Sequence, residues 1–202
     1  MDARATIDAV RDRTETERNR LGSDKALIAA TDATLETEAV LAAAATRESG
    51  LSDVLDRWAD ETDDAAATQF QAAAAAAAER TERIGTDVDA DGSDAFLDHL
   101  ETVDGPARQV GAGLVAAPLV ADRLYLQVVS FFVNEADERR ADTFREIRQE
   151  ASALDHGETA LGALSEGERE TAAAAATEAI EAAYDDYAAT LESMGLDPKP
   201  VC

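Results

Sequence analysis

The sequence predicts an all-α protein, an antiparallel bundle of four to five helices, on three observations. Of its 202 residues 46 are Ala and only 4% are aromatic, so about half of the 46% apolar content is the smallest side chain. A core of that kind needs helices that approach closely, because sheet sandwiches are filled by branched and aromatic side chains. No segment alternates with the period of two that marks a strand, and the apolar residues recur instead at spacings of three and four. Gly and Pro clusters then cut the chain into segments rich in Ala, Glu, Arg and Leu, the strong helix formers.

Each element follows in order. Residues 1–22 read as an amphipathic helical lead-in, and the bundle is expected over 23–195. A first helix over about 23–46 carries Leu27, Ala30, Thr34, Val40 and Leu41 as one stripe, with a break expected at 50–52. A second opens at Ser52, carries Leu55 and Trp58, bends near 61–64, and runs through Phe70 and the alanine tract 72–78 to Gly85. That tract is a smooth helical face for close packing. After an Asp/Gly loop comes a short helix near 95–101. A third long helix spans about 107–134, with Gly111 and Gly113 permitting close backbone approach and Pro118 as the site of a kink. A fourth covers about 135–154, with Phe144, Ile147 and Ala151 on one face. The fifth begins at Ser165-x-x-Glu168, a capping box, and passes through Ile180, Tyr184, Tyr187 and Leu191. It stops at Gly195 with Pro198 and Pro200 beyond, leaving residues 196–202 as a tail.

Charge is the strongest compositional signal. Asp and Glu number 43 against 18 Lys and Arg, for a net charge of −25, and only Lys25 and Lys199 are lysines. Acids spread along the whole chain suit a protein bathed in molar salt, where a screening length of about 3 Å suppresses self-repulsion. Acid enrichment of this kind argues for no particular partner, and it weighs against direct nucleic-acid binding, which needs clustered cations. The basic cluster Arg139, Arg140, Arg145 and Arg148 is interleaved with acids and reads as intrahelical pairs. Residues 1–20 hold no apolar core of signal-peptide length, so a cytoplasmic location is expected. Cys202, the single cysteine, excludes an intramolecular disulfide. The apolar run 114–133 has the length of a membrane span. Asp122 and Arg123 at its centre, Gln127 and Pro118 favour the central helix of a bundle, and no membrane partner is expected.

A bundle of this size can hold a di-iron or di-manganese centre built from two Glu and two Glu-x-x-His elements. The residues three before His99 and His156 are Phe96 and Ala153, so that element is missing and no cofactor is expected. An all-carboxylate version, with iron or manganese as the metal, would draw on Glu36, Glu79, Glu82, Glu135 and Glu138; the pairs Glu178 and Glu181 have similar spacing. Solvated helix faces give the same pattern. Asp122 with Arg123 is the other polar candidate, either a buried polar site or an interhelical ion pair. Gly111-x-Gly113 lacks a third Gly and a preceding strand, and no Ser has a recognisable triad partner, so no catalytic residue is assigned.

The segments Arg20-Leu-Gly-Ser-Asp-Lys25, Leu119-Val-Ala-Asp122-Arg123, Phe131-Phe-Val-Asn134-Glu135-Ala-Asp137, Tyr184-Asp-Asp-Tyr187 and the tail from Glu192 to Cys202 resemble a small acidic haloarchaeal family described as rubrerythrin-like, within the ferritin-like superfamily. Some of its members carry the label transcription antitermination protein. The resemblance covers about residues 20–202 and implies a ferritin-like bundle. Rubrerythrins use a di-iron site to reduce peroxide, but where they offer Glu-x-x-His this chain reads Glu79-Arg-Thr-Glu82, so no metal ligand is carried over. Three readings follow. One is a non-catalytic interaction or scaffold protein with a protein partner or a second copy of itself; another is an antitermination-type factor acting through protein partners; the third is a carboxylate-only di-metal oxidoreductase.

Overall fold

The computed structural model describes residues 1–62, 65–85, 92 and 94–199, and every regular element among them is helical. Cys202, Pro200 and most of the expected Asp/Gly loop lie outside the described residues. In chain order the elements are α1 (Ala3–Arg13), α2 (Glu15–Leu21), α3 (Ala26–Ala30), α4 (Thr37–Glu61), α5 (Ala65–Ile84), α6 (Ala95–Glu101), α7 (Pro106–Gln109), a π-helical segment (Val110–Ala116), α8 (Ala117–Asn134), α9 (Glu138–Ala151), α10 (Asp155–Ala163) and α11 (Glu166–Ser193).

Four boundaries differ from the sequence expectation, each for a physical reason. The helix expected over 23–46 is interrupted after α3, where Asp32 (φ 47°) and Ala33 (φ 62°) occupy left-handed backbone and the Ala33 N–H donates to Ile28 O at 2.8 Å. Residues 50–52 form no break, since α4 runs straight through them. Gly50 marks a close approach instead: a Cβ there would lie 2.3 Å from Leu97 Cδ1 on α6. Residues 135–137 form a turn around Ala136 (φ 55°), so the fourth helix begins later, capped by the Asp137 carboxylate, which accepts from Arg140 N at 2.9 Å. The segment before the fifth helix contains α10, whose Gly157 and Gly162 read as breakers from sequence.

The capping box at Ser165 and Glu168 forms as expected, with the Ser165 N–H donating to Glu168 Oε2 at 2.8 Å. At the other end of α11, Gly195 adopts φ 77°, the left-handed C′ geometry that a glycine meets without strain.

Packing follows two apolar clusters. The larger joins α1, α2, the second half of α4, the start of α5, α6, the π segment, α10 and α11, around Trp58 set edge-on to Phe70 at 5.7 Å. Ile7 and Val10 are buried in it, so α1 is packed into the same body as α10 and α11. The smaller joins the first half of α4, the end of α5, α8 and α9, with Phe132 stacked on Phe144 at 5.4 Å. Continuous helix from Pro106 to Asn134 runs between the clusters; it is long and apolar enough to cross a membrane, and half of its most apolar window is packed against other helices.

Helix continues unbroken through Pro118, and the chain has already widened before it. The Ala117 N–H donates to Ala112 O, a span of five residues. Pro118 has no N–H to offer Leu114 O, and Gly157 of α10 packs against that carbonyl so closely that a Cβ would lie 2.3 Å from it. One turn earlier Gly111 meets the backbone of α11, where a Cβ would lie 1.9 Å from Ala172 O.

Candidate functional site

An open cleft of about 440 Å³ lies between α3, the left-handed turn, α4, the start of α6, α8 and α11. Its walls follow directly from residue size. Ala39, Ala42, Ala43 and Thr46 recur at three and four on α4 and face Ala26, Ala29 and Ala30 of α3 and Ala183 of α11. Methyl groups cannot fill the space that the left-handed turn opens between α3 and α4. Leu21, Phe96, Val120 and Leu124 complete an apolar floor.

One end of the cleft is polar. The Arg47 guanidinium donates from Nε to Asp94 Oδ2 at 2.6 Å and from Nη2 to Asp94 Oδ1 at 3.0 Å, a bidentate pair whose side chains are 15% and 11% exposed. Asp94 is itself fixed, because Oδ1 also caps α6 by accepting from Phe96 N at 3.0 Å and Leu97 N at 3.3 Å. The Arg47 Cζ lies over the Phe96 ring, 5.0 Å from its centroid, a cation–π contact. Arg47 Nη1 is buried and has no hydrogen-bond partner among the described residues. Asp186 of α11 and Asp32 of the turn also line the cleft. Burial, and then the negative charge of Asp94, push the Asp186 carboxyl above its usual range. Tyr187 closes the far side with its hydroxyl 2.8 Å from Ser23 Oγ, and burial raises its phenol.

A second polar group lies deeper, where the two apolar clusters meet. Glu48 is 1% exposed and accepts from Arg80 Nε at 2.9 Å on Oε2, with Arg80 Nη2 in ion-pair contact with the same oxygen at 2.8 Å, and from the Tyr125 hydroxyl at 2.6 Å on Oε1. Burial first, and then the Glu48 charge, push the Tyr125 phenol well above its ordinary value, so the tyrosine serves as a donor only. Arg80 also lines a smaller cavity of about 310 Å³, together with Glu79, Glu150, Asp155 and His156. His156 is held there by Gln69, with Nδ1 2.9 Å from Oε1.

The candidates taken from sequence are placed as follows. Glu36, Glu79, Glu82, Glu135 and Glu138 are all exposed, Glu36 before α4, the next two on α5, and the last two on either side of the 135–137 turn. Among the described residues no three His, Cys, Asp or Glu side chains come together as a metal-holding group. Asp122 and Arg123 are half-buried at 28% and 27% exposure, and Asp122 joins α8 to α9 as an interhelical ion pair, accepting from Arg148 Nη2 at 2.8 Å and Nε at 3.0 Å. A central helix flanked by α9 offers a cation from that neighbour, and the basic cluster supplies it: Arg140 and Arg145 pair within α9, while Arg148 reaches across.

Arg47, Asp94, Glu48, Arg80 and Tyr125 were not among the sequence candidates. Glu48 and Arg80 do carry a signal, since each interrupts an apolar stripe: Leu41, Ala44, Glu48, Leu51, Leu55 on α4, and Phe70, Ala74, Ala77, Arg80, Ile84 on α5. Arg47 carries none, because Asp94 is 47 residues away across a loop. Comparison with known proteins finds no matching family model, no matching curated protein and no matching solved structure.

Proposed function

We propose that the protein is a non-catalytic binding protein, a ferritin-like helical bundle of an acidic, salt-adapted cytoplasm whose alanine-walled cleft takes up a small, mainly apolar molecule. The observation that carries this reading is the cleft itself: about 440 Å³ of space with apolar walls and one fixed polar end at Arg47 and Asp94. Ligand sites are typically clefts of about 300–1,000 Å³ with apolar linings and few, well-placed polar groups. The helical hairpins α4/α5 and α8/α9, which both contribute to the smaller apolar cluster, support the ferritin-like part of the reading.

The test is fluorescence titration with diphenylhexatriene, a hydrocarbon probe that brightens in apolar surroundings. Wild-type protein in molar KCl should bind it saturably. Ala43→Trp places an indole in the cleft from a half-buried position, and should weaken binding by at least about tenfold, equal to about 1.4 kcal/mol, without altering the circular dichroism melt. Equal binding by wild type and a folded Ala43→Trp variant would contradict the proposal.

A further inference from the structure

We infer that residues 196–199, beyond α11, form a clasp that fixes α3 as a wall of the cleft, so that docking of this segment and occupancy of the cleft strengthen each other. The inference rests on the cleft being a binding site and adds a means of regulating it.

The wall needs an anchor. Ala26, Ala29 and Ala30 of α3, with Thr31 and Asp32 after it, line the cleft. A helix of five residues does not hold itself together in water, so its position depends on what it is tied to. Ala26 and Leu27 are buried, Ile28 and Ala29 half-buried and Ala30 exposed. Packing therefore secures the start of α3, while Ala29 and Ala30 border the open space.

Lys25, the residue that caps α3, carries the clasp. Its Nζ donates to Asp197 O at 2.6 Å and to Lys199 O at 3.0 Å. The carbonyl between them, Pro198 O, accepts from the Tyr187 hydroxyl at 3.4 Å, and Tyr187 itself lines the cleft. The Tyr187 oxygen also lies 2.8 Å from Ser23 Oγ, which accepts from Lys25 N at 3.3 Å, so both attachments meet just before α3. Three successive carbonyls are thus held by side chains of the body. An Asx turn, in which the Lys199 N–H donates to Asp197 Oδ1 at 2.8 Å, sets the bend of the segment that presents them. Lysine suits the task, because a compact ammonium with three rotatable donors can serve two separate carbonyls where a planar guanidinium would favour one flat partner. Lys25 is one of only two lysines in the chain, and both of these contacts go to neutral carbonyls.

A wall fixed in advance spares a bound molecule the cost of ordering it. By linkage, a molecule in the cleft must then tighten the clasp by the same factor.

Lys25→Met keeps the stem and removes the donors. Backbone order parameters at Asp197 and Lys199 should fall from about 0.85 to below about 0.6. Hydrogen exchange at the Ala29 and Thr31 amides, which donate to Lys25 O and Leu27 O, should quicken by at least about tenfold, while Phe144 and Ile147 of α9 keep their rates. Affinity for diphenylhexatriene should fall by at least about threefold. Asp197→Ala, a change at an exposed residue, removes the Asx turn and should move all three readouts the same way by a smaller amount, so the test does not depend on how Lys25→Met folds. A segment that stays rigid in both variants would overturn the inference. So would unchanged exchange at Ala29 and Thr31 once the segment is freed, or unchanged probe affinity once α3 is loosened. Failure of the probe to bind wild-type protein counts against the cleft as a site, and exchange and order parameters then decide the clasp alone.

Discussion

Arg80→Met is expected to lower the unfolding free energy by about 3–5 kcal/mol, the usual cost of removing one partner from a buried ion pair. Glu48 is 1% exposed and Arg80 is the cation paired with it among the described residues, while Tyr125 contributes one neutral donor. Methionine matches the length of the arginine stem but leaves the carboxylate buried with that single hydrogen bond. The loss should appear as a lower denaturant midpoint with an unchanged slope. A double variant, Glu48→Leu with Arg80→Met, should recover most of it, because an apolar pair of similar size needs no counter-charge. Such recovery distinguishes charge burial from lost packing, since a pure cavity would deepen in the double variant. A single variant within about 1 kcal/mol of wild type would mean that the pair is reached by water and is not the joint between the two cores.

Gly111→Ala is expected to be worse per atom added than any other alanine substitution at a glycine with described surroundings, costing at least about 3 kcal/mol. The new Cβ would lie 1.9 Å from Ala172 O, 2.7 Å from its C and 2.9 Å from its Cα, all backbone of α11, so no side chain can rotate away. Relief requires α11 to move off the π-helical segment, and α11 is a 28-residue helix with nine buried residues. Gly162→Ala is the matched control. Nothing lies within 4 Å of a Cβ there, and helix propensity alone predicts a change between zero and a gain of about 1 kcal/mol. Thermal melts of the two variants read the contrast directly.

Glycine also shows where sequence reading succeeded and where it failed. Gly195 ends a helix and was legible as such, because the apolar stripe stops at Leu191 and prolines follow. Gly50, Gly157 and Gly162 look alike in sequence yet sit inside helices. Two of them are close approaches of a second helix, and a close approach depends on a residue distant in the chain: Leu97 for Gly50 and Leu114 for Gly157. The opposite error occurs at 31–36, where no glycine stands and the chain still turns, through Asp32 and Ala33 in left-handed backbone. That turn opens the cleft, so the site's main cause was invisible to breaker patterns.

The same distinction separates the polar residues. Glu48 and Arg80 could be recognised as misfits on apolar stripes, but the expected break at 50–52 cut the α4 stripe at the point where Glu48 would have stood out. The partner of Asp122 was in the basic cluster that sequence spacing assigned to intrahelical pairs, which holds for Arg140 and Arg145 and fails for Arg148. Arg47 with Asp94 depends on the placement of α6 against α4 and leaves no local trace. Composition and period fixed the helical class; chemistry between helices needed coordinates.

The cleft as a binding site is tested most directly by alanine methyl resonances, which this sequence supplies in abundance. In a spectrum of protein labelled at alanine Cβ, saturating diphenylhexatriene should shift Ala39, Ala42, Ala43 and Ala183, which line the cleft, and leave Ala77, Ala112 and Ala176 of the packed core in place. Shifts confined to Ala73, Ala76 and Ala151 around the smaller cavity, or no shift at saturation, would contradict the account.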